Sequence, residues 1–224
     1  MNRLECIVSM VDKCGTAADI GTDHGYAAEM LLKEEICNKI IATDLNKGPL
    51  NRAMKYLSSV KLSDRCDFRL GSGLTVLKEG EADAIIIAGM GGELILDIIE
   101  TSKDIALNAN QLILQPMTAA DDLRQYLVEN GFEIIDENIV KVSYHFYFVI
   151  KAKKGITEYK DRIYYEISKS LTDKKDPIMI EYINKVLNTN KKIIRSLEKA
   201  NNVEYNVKIE SLREKNKKIK GLIK

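Results

Sequence analysis

Apolar runs alternate with helix-patterned segments from residue 16 to about residue 130. TAADI (16–20), KIIATDL (39–45), CDFRLG (66–71), ADAIIIAG (82–89) and QLILQP (111–116) read as strands. The fourth holds an unbroken apolar run, AIIIAG, the mark of a strand buried on both faces. Between them, YAAEMLLKEE (26–35), PLNRAMKYLSSV (49–60), ELILDIIETS (93–102) and AADDLRQYLVENG (119–131) carry helical spacing. The second begins with proline, which suits a first turn, and the last stops at Gly131, a natural C-terminal cap. FEIIDENIVKV and SYHFYFVIKAKK then follow with little between them and read as a strand hairpin. MNRLECIVSMVDKCG, at the start, reads as a short amphipathic helix.

Strand–helix alternation of this kind gives an α/β fold with a parallel sheet covered by helices on both faces. By analogy with Rossmann-like methyltransferase sheets that close on an antiparallel hairpin, the expected strand order is 3-2-1-4-5-7-6. After Lys154 glycine nearly disappears and the pattern changes. Ile183, Leu187, Ile194 and Leu197 fall at alternating three- and four-residue spacing, with Asn190 at the polar register position. Tyr205, Ile209, Leu212, Asn216 and Ile219 form a second series after Ala200-Asn201-Asn202. Two such seams joined by a turn predict a C-terminal α-helical, coiled-coil-like hairpin. Asn190 and Asn216 either set its register or face water near the helix ends. The expected division is therefore 1–154 and 155–224.

Composition narrows the class. A chain of 224 residues at 45% hydrophobic and 30% charged has the material for a soluble globular core. No stretch approaches a membrane span, and the N-terminus has no signal-peptide core, so a cytoplasmic protein is expected. Cys6, Cys14, Cys37 and Cys66 form no C-x-x-C pair, and the histidines are His24 and His145 alone. A metal site is not expected from such a set. The net charge of +1 conceals an asymmetry. Residues 155–224 hold 17 basic and 10 acidic side chains, a net of +7, against −6 for residues 1–154. A basic end on an acidic body suggests a polyanionic partner, although a lysine-rich solvated surface would look the same.

The first strand runs into Asp19-Ile20-Gly21-Thr22-Asp23-His24-Gly25-Tyr26. A glycine turn ahead of a helix lets a ligand lie against bare backbone. The spacing is not G-x-G-x-x-G, and Asp19 with Asp23 would repel a pyrophosphate. S-adenosylmethionine, with a cationic sulfonium and amino group and no phosphate, suits acidic residues there. The alternative is that the aspartates cap the helix. Asp44, ending the second strand in ATDLN, is placed to accept ribose hydroxyls from either kind of nucleoside. Gly71-Ser72-Gly73-Leu74 follows the third strand, where such folds hold adenine, though a plain turn would read alike.

The fourth strand ends in Ala88-Gly89-Met90-Gly91-Gly92. Enzymes of this fold that methylate exocyclic amines usually carry Asn/Asp-Pro-Pro-Tyr/Phe here, whose acceptors bind amine protons. The present stretch offers backbone and one soft side chain, Met90. A ring nitrogen with a free lone pair, such as adenine N1, needs only to be held in line. A tight strand-to-helix junction without catalytic meaning is the other reading.

ADIGTDHGY, ATDLN with GPLNRA, GSGL, IIIAGMGGELI, LILQP and LRQYLVENGFEI, in this order, resemble the bacterial tRNA (adenine(22)-N1)-methyltransferases of the S-adenosylmethionine-dependent class I group. The resemblance runs the whole chain. It implies S-adenosyl-L-methionine as donor, tRNA as acceptor and N1 of an adenosine as target, with a monomer favoured. It places Asp19, Gly21, Asp23 and His24 in the cofactor loop. Asp44 goes to the ribose with Leu45 beside it, Ser72 and Gly73 to the adenine, and Ala88, Gly89 and Met90 to the methyl-transfer site. Gln115 and Pro116 form that site's wall. Ser72 stands where the family has Asp or Asn, so an anionic contact to adenine is missing. His24 either contacts the target adenine or caps the helix. Tyr26 and Tyr147 are candidates to stack on a flipped base, with core packing the alternative for Tyr147. His145, within a strand pattern, reads as structural. Lys191, Lys192, Arg195, Lys199, Lys208, Arg213, Lys215, Lys217, Lys218 and Lys220 are expected against tRNA phosphates. Other targets stay open: another RNA position, a small molecule, or a non-catalytic nucleotide- or RNA-binding module.

Overall fold

A computed structural model describes residues 1–200 and 202–223; Asn201, in the expected turn, and Lys224, in the basic tail, lie outside the described residues. The chain divides into two compact units, Met1–Glu158 and Tyr159–Lys224.

In the first unit, α1 (Arg3–Ser9) leads into β1 (Cys14–Ile20), α2 (Tyr26–Lys33), β2 (Cys37–Asp44), α3 (Lys47–Ser59) and β3 (Cys66–Leu70). Then come β4 (Ala84–Met90), α4 (Gly92–Thr101), α5 (Lys103–Asn108), β5 (Gln111–Pro116), α6 (Ala120–Glu129), β6 (Phe132–Val142) and β7 (His145–Lys154). The strands form one sheet in the order β3-β2-β1-β4-β5-β7-β6, as expected. The first five pair in parallel, and β7 runs antiparallel to both β5 and β6. The short α5 was not foreseen. α3, expected from Pro49, begins two residues earlier at Lys47, and Pro49 still falls in its first turn.

Alternation along β4 explains its unbroken apolar run. Ile85 and Ile87 pack with Ile95, Ile99 and Leu127 on one face, while Ala84 and Ile86 pack with Ile7, Leu31 and Leu57 on the other. Each fully buried isoleucine or leucine contributes about 1.5–3 kcal/mol. Asn2 caps α1: its side chain accepts the Glu5 N–H at 2.9 Å, and Glu5 in return accepts the Asn2 N–H at 2.8 Å. One buried polar contact has no counterpart in the sequence reading. Arg124 of α6 donates from Nε to Glu137 Oε2 of β6 at 2.7 Å, both side chains all but inaccessible. The Arg124 guanidinium also lies 4.4 Å from the Phe148 ring centroid.

The segment 155–158 belongs to the first unit, four residues past the change in composition. Gly155 N–H donates to Gly131 O at 3.0 Å, and Thr157 Oγ1 accepts the Ile134 N–H at 2.9 Å, tying the segment to the sheet.

The second unit holds α7 (Ile163–Glu166), α8 (Lys169–Asp173), α9 (Pro177–Lys199) and α10 (Asn206–Leu222). Asp176 caps α9 by accepting the Ile178 and Met179 N–H groups at 2.8 and 2.9 Å, with Pro177 in the first helical position. Met179, Ile183, Leu187 and Ile194 of α9 are buried, as are Ile209 and Ile219 of α10. Asn190 Nδ2 donates to Asn216 Oδ1 at 2.9 Å, and Arg213 Nη2 to Glu198 Oε1 at 2.7 Å. Those two pairings run in opposite chain directions, so the helices are antiparallel. Both asparagines are buried and joined, which removes the reading in which they face water.

Candidate active site

The parallel strands β1, β2 and β4 open at their C-terminal ends into a cavity of about 630 Å³. Crevices at this edge of an open α/β sheet are where such folds take ligands. The loop after β1 forms its floor. Gly21 and Thr22 both donate backbone N–H groups to Thr43 O, at 2.9 and 2.8 Å, so the loop is pinned to β2. That path requires φ of +75° at Gly21 and +45° at Asp23.

Neither aspartate caps the helix that follows. Gly25 is the N-cap of α2, with no side-chain cap. Asp19 is buried and accepts the Thr22 hydroxyl at 2.7 Å. Burial, reinforced by the nearby Asp44 charge and opposed by the Thr22 bond, pushes its carboxyl up to about 6. Asp44, also buried, accepts the Asn46 N–H at 2.8 Å. No lysine or arginine ion-pairs with either one among the described residues. Asp23 is different: it is exposed, lies 2.7 Å from Arg52 Nη2 and 3.5 Å from His24 Nε2, and so reaches the cavity with its charge already engaged. His24 does not cap α2 either; it stacks on Tyr26 with centroids 5.4 Å apart and planes 12° off parallel. Tyr26 stands half exposed at the rim, and Leu45 is exposed on the side of Asp44.

Gly89 and Gly92, at the end of β4 and just beyond it, have separate causes. Pairing with β5 shifts register between Ala88 and Met90, so Gly89 is the extra residue of a bulge, with φ +76°. A Cβ there would meet nothing within 4 Å, because the position opens on the cavity. Its N–H donates to Gln115 Oε1 at 3.2 Å. The bulge turns Met90 over the β1 loop, and a Cβ on Gly21 would lie 2.3 Å from Met90 Cε. Gly92 answers to packing: a Cβ would come within 2.5 Å of Ala119 O and 2.6 Å of Thr118 O.

The residues expected at the cofactor and the methyl-transfer site line the cavity except Pro116, and Tyr147, a candidate for base stacking, lies outside the lining too. Gln115 turns inward, so the next residue of the strand faces the other way. Pro116 pairs with Met90 in the sheet and offers its carbonyl to Gln115 Nε2 at 2.9 Å. It supports the wall without forming it. Arg3, Leu4 and Ile7 of α1 also line the cavity and carried no motif; the available signal was only their shared helix face. His145 is the first residue of β7, paired with Val142 beside the β6–β7 turn, and is exposed. Among the described residues no group of three or more candidate ligands could hold a metal, and no helix is long and apolar enough to cross a membrane.

The fit to a nucleoside sulfonium rests on two buried carboxylates without cationic partners, bare glycine backbone at Gly21 and Gly89, and enough room. Fold and site together define an S-adenosylmethionine-type methyltransferase domain, and the methyltransferase-domain family matches residues 1–150. The Bacillus subtilis tRNA (adenine(22)-N(1))-methyltransferase is 36% identical over 153 residues, 68% of this chain and 64% of that enzyme, so the match spans just under two thirds of the relative's length. The crystal structure of the B. subtilis m1A22 tRNA methyltransferase superposes with a TM-score of 0.88 at 28% identity, covering 100% of this chain and 98% of that one. A Streptococcus pneumoniae protein solved in complex with S-adenosyl-L-methionine gives 0.82 at 28% identity, with 99% and 98% covered. The chain belongs to the methyltransferase-domain family, and within it is similar to tRNA (adenine(22)-N(1))-methyltransferase of B. subtilis.

Proposed function

We propose that the chain transfers a methyl group from S-adenosyl-L-methionine to N1 of adenosine 22 in tRNA, in the cytoplasm. The observation that carries this reading is the methyl-transfer end of the cavity, which is built of Ala88, Gly89 and Met90 with Gln115 and contains no acid, base or nucleophile. When bound, the cofactor supplies an electrophilic methyl on a sulfonium. Asp19 offers a carboxylate to its cationic end, Asp44 accepts from the ribose hydroxyls, and Ser72 and Gly73 border the base. Gln115 holds the Gly89 backbone in place. The lone pair of N1 forms the new N–C bond as the C–S bond breaks, and the positive charge passes to the purine. No proton has to leave, which fits a site without a base, and positioning supplies the rate. Tyr26, stacked with His24, offers a face for an extruded adenine.

The helical unit takes the tRNA backbone. Lys191, Lys192, Arg195, Lys199, Lys208, Lys217 and Lys220 are exposed and make no ion pair among the described residues. Arg213, Lys215 and Lys218 are instead paired with Glu198 and Glu210, Glu166 and Asp161 respectively, which weakens their part in such contacts. Removing 159–224 is expected to lower tRNA methylation by about two orders of magnitude at physiological salt. Cofactor affinity should stay unchanged, since the cavity and both cores lie in the first unit. Methylation that survives the truncation would remove the tail from tRNA binding.

The decisive experiment incubates unmodified tRNA with methyl-labelled S-adenosylmethionine and digests the product to nucleosides. Label in 1-methyladenosine, lost in a transcript with adenosine 22 replaced, is the expected result. Label in another nucleoside overturns the target.

Two further outcomes test the carboxylates. Asp44→Ala should weaken cofactor affinity about 10- to 100-fold, the worth of hydrogen bonds to a charged acceptor, with little change in melting temperature. Calorimetry reads both. Asp19, raised to about 6, should make affinity for the cationic cofactor flat above about pH 7. Affinity should fall as pH drops through 6, by up to about tenfold per pH unit, because bound cation requires the carboxylate. In the free protein the same shift favours the neutral acid. Its stabilising contribution is present below the ordinary 3.8 and lost as pH rises through 6. Asp19→Asn should flatten the affinity profile.

A further inference from the structure

A row of contacts starts at Gln115, in the cavity wall beside Gly89. Gln115, whose Oε1 accepts the Gly89 N–H, places its Nε2 3.8 Å from Met117 Sδ. Arg3 Nη1 lies 3.1 Å from the same sulfur, and the Arg3 guanidinium sits 5.4 Å from the centroid of Tyr147. The His145 ring follows at 6.3 Å from Tyr147, tilted by 32°. Beyond it comes the β6–β7 turn, closed by the Val142–His145 pair, with Tyr144 83% exposed at its tip.

Topology explains why these residues meet the site. β6 runs parallel to β5 because both are antiparallel to β7. The hairpin turn therefore stands at the same sheet edge as the ends of β4 and β5. Residues 145, 147 and 149 share one face of β7, and Val149 packs against the cluster that holds α1. That places Tyr147 under Arg3, and the Asn2–Glu5 capping box fixes the turn from which Arg3 projects.

We propose that Arg3, Tyr147 and His145 form the acceptor path, a stacking and phosphate-contacting strip that holds the unstacked RNA nucleotides next to the target adenosine. The assignment rests on the reading of the chain as an RNA methyltransferase. Aromatic faces interleaved with a guanidinium are what single-stranded nucleotides bind: bases stack on the rings, and the cation takes a phosphate or a further base face. A cofactor needs no such path, since the acidic loop and Asp44 lie elsewhere on the cavity wall. A small acceptor would need a closed pocket and not a strip running out to an exposed turn.

The test is steady-state methylation of unmodified tRNA by the full chain, with cofactor affinity and melting temperature measured alongside. Arg3→Gln, Tyr147→Leu, Tyr147→Phe and His145→Ala are compared. Arg3→Gln and Tyr147→Leu should raise the KM for tRNA about tenfold to a hundredfold, the range for losing a stacked base, with cofactor affinity unchanged. Tyr147→Phe should restore the wild-type KM, because the ring face is what counts. Arg3→Gln should also reduce the slope of log affinity against log salt by about one. Should Tyr147→Leu melt early, Arg3→Gln and the exposed His145→Ala decide the matter. Wild-type KM for tRNA in those two, or a loss of cofactor affinity in step with KM, would overturn the strip while leaving the methyltransferase reading in place. A wild-type protein that labels no RNA nucleoside would overturn both.

Discussion

Glu137→Ala should destabilise the first unit by about 3–5 kcal/mol, the largest stability loss expected of any single substitution here. Glu137 and Arg124 are both almost fully inaccessible, and their contact is 2.7 Å. Removing the carboxylate leaves a buried guanidinium, packed on the Phe148 ring, without the acceptor at its Nε. For a chain of this size the loss corresponds to about 6–20 °C in melting temperature. The double variant Arg124→Met/Glu137→Leu should recover most of it, since an apolar pair of similar volume avoids burying charge. Neither residue lines the cavity, so the variants should keep cofactor affinity at temperatures where they remain folded. Calorimetric melting of the three proteins decides: equal melting points for Glu137→Ala and wild type would show that the pair carries no net structural weight.

That ion pair also marks where the sequence stops being informative. Strands buried on both faces advertise themselves as unbroken apolar runs, and β4 and β5 were legible for that reason. Arg124 and Glu137 sit thirteen positions apart in segments that read as amphipathic, where a charge is by default placed in water. Only the docking of α6 on β6 makes them partners. α5 was missed because KDIALN is only six residues long, half of them polar, and buries only Ala106 fully. α7 and α8, of four and five residues, are too short for a helical period to register.

The site divides in the same way. Asp19, Gly21, Asp44 and Gly89 were legible because each is dictated by the local path of the chain at a strand end. The distinction between Gly89 and Gly92 was not. Gly92 looks the same as Gly89 in one dimension, yet one answers to the backbone at Thr118 and Ala119 and the other opens on the cavity. The contribution of α1 was invisible because it comes from how a helix at the start of the chain packs against β6 and β7. Pro116 was expected in the wall and stands beside it, paired with Met90 in the sheet, while Gln115 faces the cavity.

Gly21→Ala should reduce cofactor affinity about 100-fold or more and abolish measurable turnover at ordinary cofactor concentrations. Two effects add. A side chain at φ +75° costs about 1–2 kcal/mol of backbone strain, which the loop relieves by moving away from Thr43 and the β2 end. The new Cβ would also lie 2.3 Å from Met90 Cε. Methionine is flexible and will yield, but Met90 itself lines the cavity, so the space it turns into is space the cofactor needs. The two effects can be separated. Met90→Ala in the Gly21→Ala background removes the overlap and leaves the strain, so it should recover part of the lost affinity. Met90→Ala alone should lower turnover more than affinity, since Met90 shapes the methyl-transfer end and not the ribose or loop contacts. Calorimetric titration of the four proteins with S-adenosylmethionine, followed by single-turnover methylation at saturating cofactor, gives the full cycle. Additive losses, with no recovery in the double variant, would mean that the β1 loop and the β4 bulge act independently. Recovery would show that Gly21 is required by the side chain the bulge folds over it.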